Sequence, residues 1–386
     1  MLDKTFVELF AGVGLIGRAL QTSGWKCVLA NDNCPNKAKL WRANHKECQD
    51  DTFKLADVSQ LSASDLARGT LLTASFPCTD FSLTGSRKGF DGKHSNLILG
   101  VLEMLKECAQ NPRILLLENV PSMLTVNNQR HLQTLFAAMK AAGFGKVDMR
   151  VIDAQHFTAQ SRRRLFIVAM RSHTVETTGF VPNVCETIPH TVVAAIKRNN
   201  EVCSWMNLHV PKLPDKSLRV MADHITNVAT SWFEGNRKKR MIEMIPDAHL
   251  EYALGPGRRY KHFALSASNR YGVMKNEIMK AGKCHCLRTP AGGSSVIRVL
   301  TVSDNEEGDE DWETSLMVRN LTPSEYASLQ GVPNFVFGDT SSTTGYKAMG
   351  DAVCVPVVEF IANNVLERVF KACETEIQCS SIVRAI

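Results

Sequence analysis

Two side chains of this 386-residue sequence stand where chemistry can be done. Cys78 follows the run Leu71-Leu72-Thr73-Ala74-Ser75-Phe76-Pro77. Leu71 to Ala74 is short, apolar and without polar alternation, as expected of a strand buried on both faces of a parallel sheet. Pro77 cannot extend a sheet ladder, so the chain turns there and Cys78 falls in a loop at the carboxyl end of a strand. In open α/β sheets ligands bind at that edge. A thiol so placed is either an inert buried cysteine or a nucleophile. Glu118 closes a second buried run, Ile114 to Leu117, and Pro121 ends that element. Its carboxyl group can exchange a proton with a ligand. Arg162 and Arg164 share one face of an extended chain, and positive charge near a thiol of ordinary pKa about 8.5 favours the thiolate. Alone, Ser161-Arg162-Arg163-Arg164 reads as a solvated charge run.

The elements that position these groups follow from the pattern. Thr5 to Leu9 reads as a first strand, followed by Phe10-Ala11-Gly12-Val13-Gly14-Leu15-Ile16-Gly17 and a helix to about Thr22. Those glycines permit a tight turn and close approach of a ligand to the helix N-terminus. Cys27 to Ala30 is a second strand, ending at Asp32. An acid about 20 residues beyond such a glycine loop is placed to bind ribose hydroxyls. Pro35 to Ala43 reads as helix, and a short strand over Phe53 to Leu55 ends at Asp57. Asn96 to Ala109 carries Leu97, Ile98, Val101, Leu102 and Leu105 at helical spacing. A helix near His131 to Ala142 and strands near Val147 to Ile152 and Leu165 to Ala169 follow. Five successive strands thus end in the glycine loop, Asp32, Asp57, Cys78 and Glu118. Five along one rim of a doubly wound sheet make a site, which outweighs the inert reading of Cys78.

Composition narrows the class. The length suits two domains. Twelve cysteines without a signal-like N-terminus suggest reduced thiols and a cytoplasmic setting. Cys284-x-Cys286 and the Cys373, Cys379 pair have poor zinc spacing, so no metal is expected. No apolar run long enough for a bilayer is read. Net charge is +6, and residues 171–303 hold 19 Lys and Arg against 10 Asp and Glu, so the positive charge is concentrated in the middle of the chain. Arg237-Lys238-Lys239-Arg240 and Arg258-Arg259-Tyr260-Lys261 suit phosphate neutralisation, though each alone reads as a solvated face. Asp304 to Glu313 has seven acids and no base, as in a solvated hairpin tip.

A nicotinamide dehydrogenase uses the glycine loop and Asp32 but leaves Cys78, Glu118 and the arginines idle. A transferase using S-adenosylmethionine employs them all. Cytosine C5 is a poor nucleophile. A thiolate added to C6 makes the ring enamine-like, and a carboxyl group that protonates N3 favours that addition. Together the motifs resemble the DNA (cytosine-5) methyltransferase family of bacterial or phage restriction-modification or defence type. Phe10-Ala11-Gly12-Val13-Gly14 resembles its cofactor loop, Phe76-Pro77-Cys78 its nucleophile loop, Glu118-Asn119-Val120 its Glu-Asn-Val motif, and Gln160, Arg162 and Arg164 its Gln-x-Arg-x-Arg motif. Arg319 to Glu325 with Leu329-Gln330-Gly331 is similar to the segment that seats the recognition domain, and Gly345 to Gly350 with Val353 to the last cofactor-side motif. Two departures stand out: Thr79 replaces the usual Gln after the cysteine, and Asp351 replaces the usual Asn.

The resemblance implies an α/β fold: a Rossmann-like, doubly wound S-adenosylmethionine-dependent methyltransferase domain over residues 1–170 plus 340–386, with a smaller target-recognition domain over 171–339. It implies catalysis by Cys78, Glu118, Arg162 and Arg164. Cofactor contacts would come from Phe10, Gly12, Gly14, Asp32, Asp57, Pro77, Leu97, Asp351 and Val353. DNA contacts would come from Thr79, Ser82, Arg288, Gly292 and Gly293. Pro356 to Phe370 would form a helix packed beside the first. The expected product is S-adenosyl-L-homocysteine alongside 5-methylcytosine in double-stranded DNA, made by a monomer in a bacterial cytoplasm with a restriction endonuclease or defence proteins as partners. A tRNA cytosine methyltransferase of the same fold and a non-catalytic DNA-binding protein are the competing readings.

Overall fold

The computed structural model describes residues 2–77, 96–125, 129–171, 181–226, 232–255, 259–270, 272–290, 296–303 and 315–383. Cys78, Thr79, Ser82, Gly292, Gly293 and the acidic run 304–313 lie outside the described residues. The chain forms two compact units. The first comprises Met1–Ile152, Arg163–Leu213 and Val357–Ile386, and the second Asp153–Arg162 and Pro214–Pro356.

Through residue 213 the elements are β1 (Thr5–Leu9), α1 (Leu15–Thr22), β2 (Lys26–Asp32), α2 (Pro35–Asn44), β3 (Phe53–Leu55), α3 (Ala63–Leu66), β4 (Leu71–Ala74), α4 (Asn96–Leu105), β5 (Ile114–Asn119), α5 (Arg130–Ala141), β6 (Lys146–Asp153), β7 (Arg163–Met170), α6 (His190–Arg198) and β8 (Ser204–Trp205). Their strands form one sheet in the order β3-β2-β1-β4-β5-β7-β6-β8. From β3 to β5 every pairing is parallel, and β7 runs antiparallel to β5. The carboxyl ends of β3, β2, β1, β4 and β5 therefore share one edge. Strand order turns back on itself between β1 and β4, the switch point at which such sheets bind ligands. Every residue of β4 and β5 is buried, which is why their sequence shows no polar alternation. On α4 the buried residues Ile98, Val101, Leu102 and Leu105 recur at three- and four-residue spacing and face the sheet's core. Each buried leucine of this kind contributes about 1.5–3 kcal/mol.

The remaining elements are α7 (Gly235–Glu243), α8 (Asp247–Leu254), β9 (His262–Arg270), β10 (Val273–Ile278), β11 (Arg298–Val302), β12 (Leu316–Asn320), α9 (Pro323–Leu329), α10 (Ser342–Asp351), α11 (Val355–Ile361) and α12 (Glu367–Val383). β9 to β12 form an antiparallel sheet in the order β10-β9-β11-β12. Phe263, Leu265, Leu300 and Val318 from this sheet share a core with Phe233, Ile242, Ile245 and Ala253.

The unit boundaries differ from the expected 1–170 plus 340–386 and 171–339. Residues 181–213 fall in the first unit, because β8 pairs with β6 and Val192, Ala195 and Ile196 of α6 sit in that unit's core. Residues 340–356 fall in the second unit, bonded there to Arg162 and Gln330. The C-terminal helix continues past the expected Phe370, through a π-turn at Ala362–Leu366, to Val383. As expected it packs beside the N-terminal elements. Thr22 donates to Glu359 at 2.9 Å, Lys4 pairs with Glu367, and Trp25 meets Phe370 edge-on at 5.4 Å. Among the described residues one helical stretch, Ser342–Gln378, is long and apolar enough to cross a membrane by length and composition, contrary to the expectation of none. Its residues Val358, Ile361, Val365, Leu366 and Val369 are buried in the protein.

Candidate active site

The shared carboxyl edge of the first sheet carries the glycine loop, Asp32, Asp57 and Glu118, and the described chain after β4 ends at Pro77. After β1 the chain turns sharply, with φ +54° at Phe10, +58° at Gly12 and +81° at Gly14. A positive φ at a bulky residue such as Phe10 is an outlier of the kind concentrated at functional sites. A Cβ added to Gly12 would meet nothing within 4 Å, so this backbone faces open space. At Gly14 a Cβ would stand 2.3 Å from His45 Nε2 and 2.5 Å from Trp41, so no side chain fits. Trp41 and His45, one helical turn apart, stack at 4.6 Å beneath the loop, and burial pushes the His45 imidazole below its ordinary pKa.

Asp32 ties this loop to the next one. Its Oδ2 accepts from the Gly12 N–H and its Oδ1 from the Cys34 N–H, both at 2.9 Å. Each carboxylate oxygen has a second lone pair, which leaves acceptor capacity for a ligand hydroxyl. Asp57 caps the turn after β3. The Ser59 hydroxyl at 2.6 Å and the Ser59 N–H at 3.0 Å hold its carboxyl below its ordinary pKa. An open glycine backbone beside an anchored, half-buried carboxylate fits an adenosine-type cofactor.

Glu118 is buried, and each of its oxygens has a partner. Arg164 Nε stands 3.0 Å from Oε1, and the Ser75 hydroxyl donates to Oε2. Next to it, Asn119 Nδ2 donates to the Phe76 carbonyl at 3.2 Å, tying the end of β5 to the segment that leads into Cys78. Pro77 is half-buried and Phe76 buried after β4. Leu97 is partly buried at the start of α4 and packs against the core.

Arg162 requires a correction. Expected beside Arg164 on one strand face, it precedes β7 and belongs to the second unit. There its guanidinium is buried and donates to the carbonyls of Leu287 and Gly350, each at 3.0 Å, and to that of Ala352 at 2.5 Å. Through these bonds it holds backbone in place. Gln160 extends the same junction. Its amide accepts from the Leu287 N–H at 3.1 Å and donates to the Leu329 carbonyl at 3.1 Å, while Gln330 donates to the Met349 carbonyl at 2.7 Å. Three motifs far apart in sequence thus converge in one unit. At Gly350 a Cβ would stand 2.6 Å from the Arg288 and Thr289 backbone, so only glycine fits that crossing. Arg288 is exposed, as is Asp351 at the end of α10, whereas Val353 is buried.

Three residues escaped the sequence reading. Glu8 is an acid inside the otherwise apolar β1, a signal in itself. His45 lies four residues beyond Trp41, on one helix face. Ser75 is the first residue after β4, and nothing in the sequence singles it out.

A model of the C-5 cytosine-specific DNA methylases matches residues 4–367. The chain belongs to that family, and membership implies use of S-adenosylmethionine. Among its relatives are the type II methyltransferase M.HpaII of Haemophilus parainfluenzae, 24% identical over 366 residues, covering 94% of this chain and 89% of the relative, and M.Bsp6I of Bacillus sp. (strain RFL6), 27% identical over 363 residues, covering 93% and 97%. The crystal structure of the S. pombe Dnmt2 methyltransferase superposes with a TM-score of 0.59 at 18% identity, covering 96% of this chain and 99% of that one, which is a likeness of fold. The α/β methyltransferase fold and cytosine-5 specificity read from the motifs therefore stand.

Proposed function

We propose that this methyltransferase modifies cytosines flipped out of duplex DNA, with Cys78 as nucleophile, Glu118 as the N3 acid and Arg164 as their cationic partner. The buried Glu118–Arg164 contact of 3.0 Å carries this reading, because it lies where β5 ends beside the strand that runs into the Pro77-Cys78 loop. Extruding the base costs a few kcal/mol of stacking and pairing. Cys78 adds to C6 while the O–H bond of Glu118 breaks and an N3–H bond forms, leaving the electron pair on the carboxylate. Arg164 holds that carboxylate and faces the base's O2. S-adenosylmethionine, when bound, supplies an electrophilic methyl group for the activated C5; loss of the C5 proton then restores the C5–C6 double bond and the C6–S electron pair leaves with the Cys78 thiolate. Phe10, Gly12, Gly14, Asp32 and Asp57 would hold its adenosine part, with Pro77, Leu97, Asp351 and Val353 in supporting positions. No step requires a metal. Thr79, Ser82, Arg288, Gly292 and Gly293 are the proposed DNA contacts. A bacterial cytoplasmic enzyme acting alongside a cognate endonuclease fits the relatives' designation as type II methyltransferases of bacteria; a monomer is part of the same proposal.

The nucleophile is tested with duplex DNA carrying 5-fluorocytosine. Fluorine at C5 cannot leave as a proton does, so the Cys78–C6 bond persists. The full chain is expected to form a denaturation-resistant adduct of protein-plus-DNA mass with S-adenosylmethionine present, and Cys78→Ala none. An adduct mapped to another residue would overturn the assignment, and methylation of tRNA in preference to duplex DNA would overturn the substrate.

A further inference from the structure

Glu118 is clamped by two unlike partners. The guanidinium at Oε1 is a fixed positive charge with donors only, whereas the Ser75 hydroxyl at Oε2 is a neutral group able to donate or accept. A hydroxyl on Oε1 would face the donor-only guanidinium, so Oε1 is taken up as an acceptor. Oε2 keeps one lone pair beyond the one the serine engages, and its neighbour tolerates either protonation state. Ser75 also stands between β4 and Phe76-Pro77, so one residue fixes both the Glu118 carboxyl and the root of the loop that carries the thiol. The Asn119 bond to the Phe76 carbonyl braces the same corner from the other side.

From this geometry we infer that Ser75 is a positioning residue of the reaction, and that Oε2 of Glu118 is the oxygen that carries the proton exchanged with the base. The inference rests on the proposed role of Glu118. In the transfer, the O–H bond at Oε2 breaks, the N3–H bond forms and the carboxylate retains the electrons, while the Ser75 hydroxyl keeps donating to the other lone pair of Oε2. A hydrogen bond to an ionised group contributes about 1.5–3 kcal/mol, so its loss corresponds to roughly a 10- to 100-fold change.

The test compares Ser75→Ala and Ser75→Thr in the full chain. Adduct formation rate on 5-fluorocytosine DNA, kcat, KM for DNA and S-adenosylmethionine affinity are all read. Ser75→Ala is expected to slow adduct formation and kcat by about tenfold or more, with both affinities within about twofold of the parent. Ser75→Thr, which keeps the hydroxyl, is expected to restore most of the rate. Equal rates for Ser75→Ala and the parent would overturn the inference. So would equal losses in the alanine and threonine variants, or a loss of affinity in place of rate. If the parent chain itself forms no adduct while binding S-adenosylmethionine, the proposed role of Cys78 and Glu118 fails first. An adduct in the parent with an unaffected Ser75→Ala variant sinks only the role of Ser75.

Discussion

At the scale of single residues, burial decides which groups carry charge. Glu8 lies inside β1, 1% exposed, with Oε1 accepting from the Gly17 N–H at 3.2 Å. Burial raises its pKa from 4.5 to about 8, with further upward contributions from Cys48 and Asp32 and a partial offset from the Gly17 bond. Between those two values the folded chain binds a proton that the unfolded chain lacks, so this residue's contribution to stability falls as pH rises. The slope from this one group is about 1.4 kcal/mol per pH unit, and it ends near pH 8. Glu8→Gln removes it. Urea midpoints measured from pH 5 to 8 should fall more steeply for the parent than for the variant, and parallel curves would contradict the assignment. Glu118 shows the limits of sequence at this scale. Its place after a buried strand was legible because β5 has no polar alternation and ends at a proline. Its contact with Ser75 was not, because a serine at a strand end has no periodicity to betray a partner 43 residues away.

At the scale of elements, motifs read as catalytic or cofactor-side prove also to be braces. Arg162 was legible as part of a motif, but its work on three carbonyls depends on segments more than 120 residues away and could not be read from spacing. The Arg319-to-Glu325 segment behaves similarly. Arg319 donates to Glu325 at 2.7 and 2.8 Å, both residues buried, and Glu325 completes a capping box with Thr322 at the start of α9. Burial pushes the Glu325 carboxyl up, but the Arg319 and backbone N–H bonds overcome it and hold the group below its ordinary pKa. Arg319→Met leaves a buried carboxylate without its partner, which costs about 3–5 kcal/mol. Thermal unfolding of the variant should show a marked loss of stability. An unchanged melting temperature would mean that the pair contributes nothing to the second unit's fold.

At the scale of the whole molecule, the sheet of the first unit was the most legible part. Its first five strands are short runs, mostly buried except for β3, each followed by a turn and a polar group, and that pattern places the rim without knowledge of tertiary contacts. The unit boundaries were less legible. The short β8 and the α10 segment are claimed by their neighbours through pairing and hydrogen bonds, and neither has a strong periodicity of its own. Family membership makes this chain a cytosine-5 DNA methyltransferase, and the central proposal is that it acts in a defined duplex sequence through Cys78. Bisulfite sequencing of DNA from a methylation-free bacterial host expressing the chain, with Cys78→Ala alongside, tests it most directly. Protected cytosines confined to one short sequence and lost in the variant are the expected result. Protection that survives in Cys78→Ala, or none from a soluble parent chain that binds S-adenosylmethionine, would contradict it.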